Sequence, residues 1–208
     1  MIQLKNLSNK ELGEISKQIS DSFYDYKYNE DDMGLIKYLS NRDNMFIYMN
    51  AIVKAAYKSG LLYATSTNCE GYLILSGFGF GSVKILDGFK MIFAEKKALG
   101  GFKNMKSFIK SCFSEGGSIE TRTKKAKRKY IKIEMLVVRQ EFQKQGFMRK
   151  LLNDVYSIAD NNKVLVILDT DDKDKCKRYE YLGMTLDKTR CCSERFHLYD
   201  LIREPNVN

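Results

Sequence analysis

The sequence contains no tryptophan, one proline (Pro205) and one histidine (His197). A single proline near the end excludes Pro-rich linkers and argues against extended disorder. Internal repeats and low-complexity tracts are likewise missing. Apolar runs such as Val164 to Leu168 are far shorter than the ~20 residues a membrane helix requires, so no membrane partner is expected. The opening residues Met1-Ile2-Gln3-Leu4-Lys5 lack the apolar run of a signal peptide. Five cysteines (Cys69, Cys112, Cys176, Cys191, Cys192) form an odd set without Cys-x-x-Cys spacing. They read as reduced thiols of a cytoplasmic protein, not as a disulfide framework. Adjacent Cys191 and Cys192 near His197 raise the question of a metal. Closed zinc sites take four ligands at recognisable spacing, so no metal site is expected.

What is present fits one soluble α/β domain spanning residues 1–208. The chain has 208 residues, 44% of them hydrophobic and 29% charged. A chain of this length buries roughly 70% of its unfolded surface and needs neither disulfide nor metal to hold a core. Lysine and arginine number 35 against 26 acidic residues, a net charge of +9. Such a field attracts anions, whether nucleic acid, anionic lipid or a phosphorylated small molecule.

Ser8-Asn9-Lys10-Glu11 fits a capping box, and Leu12, Ile15, Ile19 and Phe23 follow at helical spacing. A second helix is expected from about Asn44 to Ser59, with Gly60 as its left-handed cap. Leu61–Ser66 and Gly71–Ser76 read as a hairpin. Ile85 to Phe113 reads as two helices broken near Gly100-Gly101. Thr121 to Lys129 lacks apolar periodicity and is expected to be a loop or strand extension. Tyr130–Val138 is a strand, Gly146–Ala159 an amphipathic helix, and Val164–Leu168 a buried central strand. Asp172–Leu182 is a short helix that Gly183 can end. Met184–Leu186 and Phe196–Ile202 are late strands. This alternation argues for a mixed sheet with a parallel portion.

The segment that carries chemistry is the strand–loop–helix from Leu136 to Leu152. The first N–H groups of a helix have no intrahelical partner and carry partial positive charge, and Gly146 lets an anion approach the backbone. Lys144, Arg149 and Lys150 add positive charge. On the residues alone, a pyrophosphate site and an ordinary connection with a solvated basic face both remain open. Gly77-Phe78-Gly79-Phe80-Gly81 lacks the full G-x-G-x-x-G pattern, and is expected to be a flexible or bulged strand end.

Gln143-x-x-Gly146-x-Met148 resembles the Q/R-x-x-G-x-G/A signature of the GNAT superfamily of N-acetyltransferases. Ile167-Leu168-Asp169-Thr170 is similar to the end of that family's next strand. Tyr179-Glu180-Tyr181-Leu182-Gly183-Met184 is similar to its Y-E-K-L-G-F segment. The match covers residues from about 130 to 200; the hairpin, the helical insert and the L-D-T ending also resemble the branch containing puromycin acetyltransferases. The resemblance implies a GNAT-like domain with a twisted sheet of six to seven strands flanked by helices. Residues 130–200 would form the cofactor-binding half and residues 1–129 the acceptor side. It implies acetyl-CoA as cosubstrate, an amine acceptor, and direct attack of the amine on the thioester. Leu136, Val137 and Val138 would pair with the pantetheine arm. Gln143, Lys144, Gln145, Gly146, Phe147 and Met148 would hold the pyrophosphate, with Arg149 beside them. Tyr179 would protonate the leaving thiolate, and Glu134 or, second, Asp169 would take the amine proton.

The sequence departs from the pattern at three places. Met148 stands where Gly or Ala is usual, Gln140 replaces a common Pro, and Lys173 stands where Asn often precedes the tyrosine. Two other readings follow from the residues. One is a non-catalytic, regulatory CoA-binding module. The other is a nucleic-acid-binding protein, suggested by the run Arg122, Lys124, Lys125, Lys127, Arg128, Lys129 and Lys132. Both a monomer and a homodimer fit the sequence.

Overall fold

The structure, a computed structural model, describes residues 1–113 and 116–206. Seven strands form one sheet: β1 (Ile2–Gln3), β2 (Leu62–Ala64), β3 (Gly71–Gly77), β4 (Tyr130–Val138), β5 (Leu165–Thr170), β6 (Thr185–Ser193) and β7 (Phe196–Arg203). Their spatial order is β1-β2-β3-β4-β5-β7-β6. Every neighbouring pair is antiparallel except β4 with β5.

The first helix, α1 (Asn9–Tyr24), starts where the capping box puts it. Ser8 Oγ accepts from Glu11 N at 3.2 Å, and Glu11 Oε2 accepts from Ser8 N at 2.7 Å. Leu12, Ile15 and Ile19 bury its inner face. Helix α2 (Arg42–Lys58) is capped by Asn41, whose side chain accepts from Asn44 N, and Gly60 beyond its end has φ +74°. Helices α3 (Ile85–Ala98) and α4 (Phe102–Cys112) form the expected pair broken at Gly100-Gly101. Helix α6 (Phe147–Asn162) buries Leu151, Leu152, Val155, Tyr156 and Ala159. Helix α7 (Lys173–Tyr181) starts at the Asp172 cap, and Gly183 follows it with φ +96°.

The sheet separates two apolar layers. Tyr72 and Ile74 of β3 face α1 and α2, whereas Leu73 and Leu75 face α6 and α7. On β4 the alternation is interrupted. Ile131 and Ile133 face α6, yet Met135 and Val137 face α1 and α2. Four residues of one parity share a face in a regular strand and cannot be split between two faces unless the register slips. It does slip: Ile74 pairs Met135 and Leu75 pairs Ile133, so Glu134 has no cross-strand partner on β3. This one-residue bulge inverts the strand. Because the bulge lets both layers close, truncating Ile133 to Ala would cost about 2–5 kcal/mol.

Three local expectations are corrected. Residues 119–125 are a helix, α5 (Ile119–Lys125), not a loop or strand extension. Ser118 caps it, Ile119 and Thr123 are buried beneath it, and Lys124 pairs with Glu120 one turn back. Only two of its side chains, Ile119 and Thr123, are buried, too few for periodicity to register. The late strand β6 runs to Ser193, well past Leu186, because Arg190 and Cys192 turn inward against β7 and α4. Gly77–Gly81 is a tight turn, with Gly77 N donating to Gly81 O at 2.7 Å and Gly81 N to Gly77 O at 2.8 Å. Gly77 has φ +92°, and a Cβ there would sit 2.5 Å from Tyr130 O, so only glycine fits.

Candidate active site

The parallel pair β4–β5 is short. It holds for Tyr130↔Leu165, Ile131↔Val166 and Lys132↔Ile167, and then ends. Beyond that point β4 stays paired to β3 through Val138↔Gly71, and β5 stays paired to β7 through Thr170↔Tyr199. The sheet therefore forks, with each strand following its own antiparallel partner. The bulge at Glu134 lies just past the fork and adds local twist to β4. Among the described residues, the edge of β4 from Ile133 to Val138 that faces β5 has no strand partner. Leu136, Val137 and Val138 lie on this open edge.

The start of α6 lies beyond the same strand end. Gly146 adopts φ +86° as N-cap and gives no side-chain cap to the first N–H groups. A Cβ on Gly146 would meet nothing within 4 Å, so the approach is open. Lys144 is also left-handed, at φ +62°. Gln143 and Gln145 brace the loop from within: their Nε2 atoms donate to Val138 O at 3.2 Å and Glu141 O at 2.9 Å. The loop thus offers backbone amides, not these two side chains. Phe147 packs edge-on to Phe142, with centroids 5.9 Å apart. Met148, the departure from the family pattern, turns into the α6-side core. Arg149 stacks over Tyr181 at 5.6 Å.

Tyr179 lies on α7 in the core layer that contains Leu168, Tyr156 and Tyr199, with 8% of its surface exposed. Burial, then the neighbouring Tyr156 and Asp171, push its hydroxyl pKa up. It keeps its proton over the whole physiological range and remains a donor.

The fork gathers charge on the other face. Lys132 is the last β4 residue paired to β5, and its Nζ lies 2.7 Å from Glu134 Oε2 and 3.4 Å from Glu120 Oε2. Burial works against its ammonium, but Glu134, Asp169 and Glu120 outweigh that and hold its proton. Ser76 donates to Glu134 Oε1 at 2.6 Å. Asp169 is half-buried; desolvation pushes its carboxyl up, partly offset by Lys132 and Arg190. Both carboxylates expected from the sequence feel the Lys132 charge, but only Glu134 pairs with it.

Several polar residues at this end carry no sequence signal. Asp32, fully buried, accepts from Lys173 N at 3.0 Å and from Tyr199 Oη at 3.2 Å, and lies 2.9 Å from His197 Nδ1. It ties the segment after α1 to the start of α7. Tyr26 and Tyr28 donate to Asp172 and Asp171 at 3.0 and 2.7 Å. The Lys175 ammonium sits 3.9 Å from the Tyr26 ring centroid and 5.0 Å from that of Tyr28. Contacts spanning about 140 residues or more leave no local spacing to read. His197, considered as a metal ligand beside Cys191 and Cys192, is engaged with Asp32, and Cys192 is buried against Phe196 and Leu198.

The basic run behaves differently from its composition. Arg122 pairs with Asp187 and Asp200, Lys124 with Glu120, Arg128 with Glu204, and Lys132 with Glu120 and Glu134.

Neither a family model nor a curated protein sequence matches the chain. Solved structures do. An N-acetyltransferase from Staphylococcus aureus Mu50 aligns over 95% of this chain and 98% of its own, with 16% identity and a TM-score of 0.53. Arylalkylamine N-acetyltransferase 2 from Aedes aegypti covers 97% of this chain and 98% of its own, with 11% identity and a TM-score of 0.56. A protein from Corynebacterium glutamicum, described as histone acetyltransferase HPA2 and related acetyltransferase, covers 97% and 95%, with 10% identity and a TM-score of 0.53. Identities this low speak to architecture alone, and on that level the expectation from residues 130–200 is met over the whole length: the chain has the GNAT acetyltransferase fold.

Proposed function

We propose that the protein transfers an acetyl group from acetyl-CoA to a primary amine by direct attack. The observation that carries this reading is the fork between β4 and β5, with the uncapped start of α6 beyond it. An extended pantetheine arm can add to the open edge at Leu136–Val138 as a further strand would. The free N–H groups from Phe147 onward suit a pyrophosphate, and Gly146 leaves it room. Lys144 and Arg149 add charge around it.

In the reaction the amine nitrogen bonds to the thioester carbonyl carbon, and the C–S bond breaks. Tyr179, held neutral by burial, gives its proton to the departing thiolate. The amine proton passes to a carboxylate at the fork, directly or through water. Glu134 is solvent-exposed but compensated by Lys132. Burial pushes the carboxyl of Asp169 up, the direction that strengthens a base. The acceptor enters from the face that carries these groups. Holding both reactants at the fork supplies the orientation term.

The test is calorimetric titration with acetyl-CoA, followed by turnover on a panel of amines. The reading requires saturable binding and release of free CoA thiol. A protein that binds no acyl-CoA overturns it. Binding without turnover on any amine gives the site to a regulatory CoA-binding module. Tyr179→Phe should leave acetyl-CoA affinity unchanged and lower kcat by about 10²-fold or more. An unchanged kcat removes Tyr179 from the mechanism.

A further inference from the structure

The helical insert carries an apolar surface on its outside. Ile85, Leu86, Phe89, Ile92 and Phe93 of α3 are 79%, 75%, 57%, 45% and 70% exposed. Their spacing of i, i+1, i+4, i+7, i+8 places them on one helix face. The opposite face is already used: Asp87, Met91 and Ala94 line the contact with α2, and Ala98 is buried. The helix is therefore amphipathic in the reverse sense to a core helix. Helix α4 continues the pattern, with exposed Phe102 and Ile109 in line with Phe113 just past its end.

Residues 84–113 also hold seven lysines against Asp87 and Glu95. On α3, Lys90 and Lys97 border the apolar stripe and Lys96 ends it. On α4, Lys103 and Lys110 border the second stripe. Among the described residues, none of these five lysines, nor Lys84 or Lys106, makes a salt bridge.

We infer that this face docks on an anionic membrane surface, with the aromatic and aliphatic side chains entering the headgroup boundary and the lysines reading lipid phosphate and carboxylate. Bulky apolar side chains flanked by lysines are the signature of a helix lying in an interface, and charge complementarity selects an acidic one. A second copy of the chain is disfavoured by the same charges: an isologous contact would set like lysine borders against each other. The absence of a spanning run does not bear on this, since lying on a bilayer needs a face and not a length. Among the described residues, no helix is long and apolar enough to cross one.

The experiment is co-sedimentation of the full chain with vesicles of phosphatidylcholine alone, or with about one third phosphatidylserine. The protein should sediment with the phosphatidylserine vesicles at low salt, and less as salt rises. Phe89→Ser with Phe93→Ser should lower the partition coefficient about tenfold or more, and Lys90→Glu with Lys97→Glu by a similar factor. All four positions are exposed, so both variants should unfold near the parental temperature. No sedimentation with phosphatidylserine vesicles at low salt overturns the inference. So does a serine variant that binds as the parent does. A concentration-dependent dimer that the serine substitutions dissolve also overturns it, giving the face to a second copy.

Discussion

Two stretches of the chain are dense in lysine and arginine, and the fold treats them in opposite ways. Between Thr121 and Lys132 four of the seven basic residues are paired within the chain. Arg122 reaches the buried Asp200, Lys132 reaches Glu134 and Glu120, and Lys124 and Arg128 close on Glu120 and Glu204. Between Lys84 and Phe113 the lysines point outward beside exposed aromatic residues. A solvated lysine among apolar side chains is a surface still available to a partner. A paired one is part of the scaffold. Charge density in a sequence therefore locates basic residues without saying how much of their charge is free.

The sharpest way to break this contrast is at Asp200. Its two oxygens take three contacts from Arg190, at 2.8, 2.9 and 3.1 Å, and one from Arg122 at 2.9 Å. Arg190 is 1% exposed and Asp200 fully buried. Asp200→Ala leaves an arginine charged and unpaired inside the protein, at a cost of about 3–5 kcal/mol. Thermal unfolding should show a fall of roughly 10 °C or more. A fall of only a degree or two would mean that the inner charges are as solvated as the outer ones.

Glu120 is the next lever, because it joins α5 to the fork. It accepts from Tyr130 Oη at 2.9 Å and pairs with both Lys124 and Lys132. Burial opposes its charge, but Lys124, Lys132 and Tyr130 hold its carboxyl below the ordinary range. Glu120→Gln should cost about 1–2 kcal/mol above pH 5, and the difference should fade as pH falls through that lowered value. Urea unfolding at pH 7 and at pH 3 measures both. A difference that does not fade would place the loss in packing rather than charge.

The same physics explains what was legible in the sequence. Ser8 with Glu11, Gly60, and Gly183 act within a few residues, so spacing exposes them. The strand–loop–helix around Gly146 is equally local, and it placed both Leu136–Val138 and the α6 start. Asp32 with His197, or Lys175 among Tyr26 and Tyr28, join segments far apart and have no such trace. The bulge is a third case. Glu134 looks like an alternating surface residue until Leu73 and Leu75 show that β4 must change faces. The helix α5 was hidden because its stability rests on Ser118, Glu120 and two buried side chains rather than a stripe.

On the outer side, Glu95 tests whether the insert really lacks internal pairing. It sits on α3 beside Lys96 and Lys97, yet burial alone acts on it and pushes its carboxyl up to about 7 from 4.5. The folded value lies above the unfolded one, so the cost of ionising Glu95 is absent below about pH 4.5 and grows as pH rises towards 7. Glu95→Gln should therefore match the parent at pH 4.5 and exceed it at pH 8 by about 1 kcal/mol, or roughly 2–4 °C. A variant less stable at pH 8 would reveal a cation holding Glu95 in place.

The smallest effect is expected where the sequence looks most charged to a solvent. Lys90, Lys96 and Lys97 changed together to Gln remove three charges from α3 without removing a salt bridge seen among the described residues. Glutamine keeps nearly the same helix propensity as lysine. Exposed positions of this kind change stability by no more than about 0.5 kcal/mol. The unfolding temperature should stay within about 2 °C of the parent, and the smaller positive field should favour the folded state slightly at low salt. Salt titration of the unfolding temperature separates the two stretches. The triple variant should flatten the salt dependence, because surface charges are screened over a Debye length, whereas Arg190 and Asp200 lie where ions do not reach. If the triple variant instead unfolds as early as Asp200→Ala, the lysines of the insert are structural, and the outward face is not free to meet a partner.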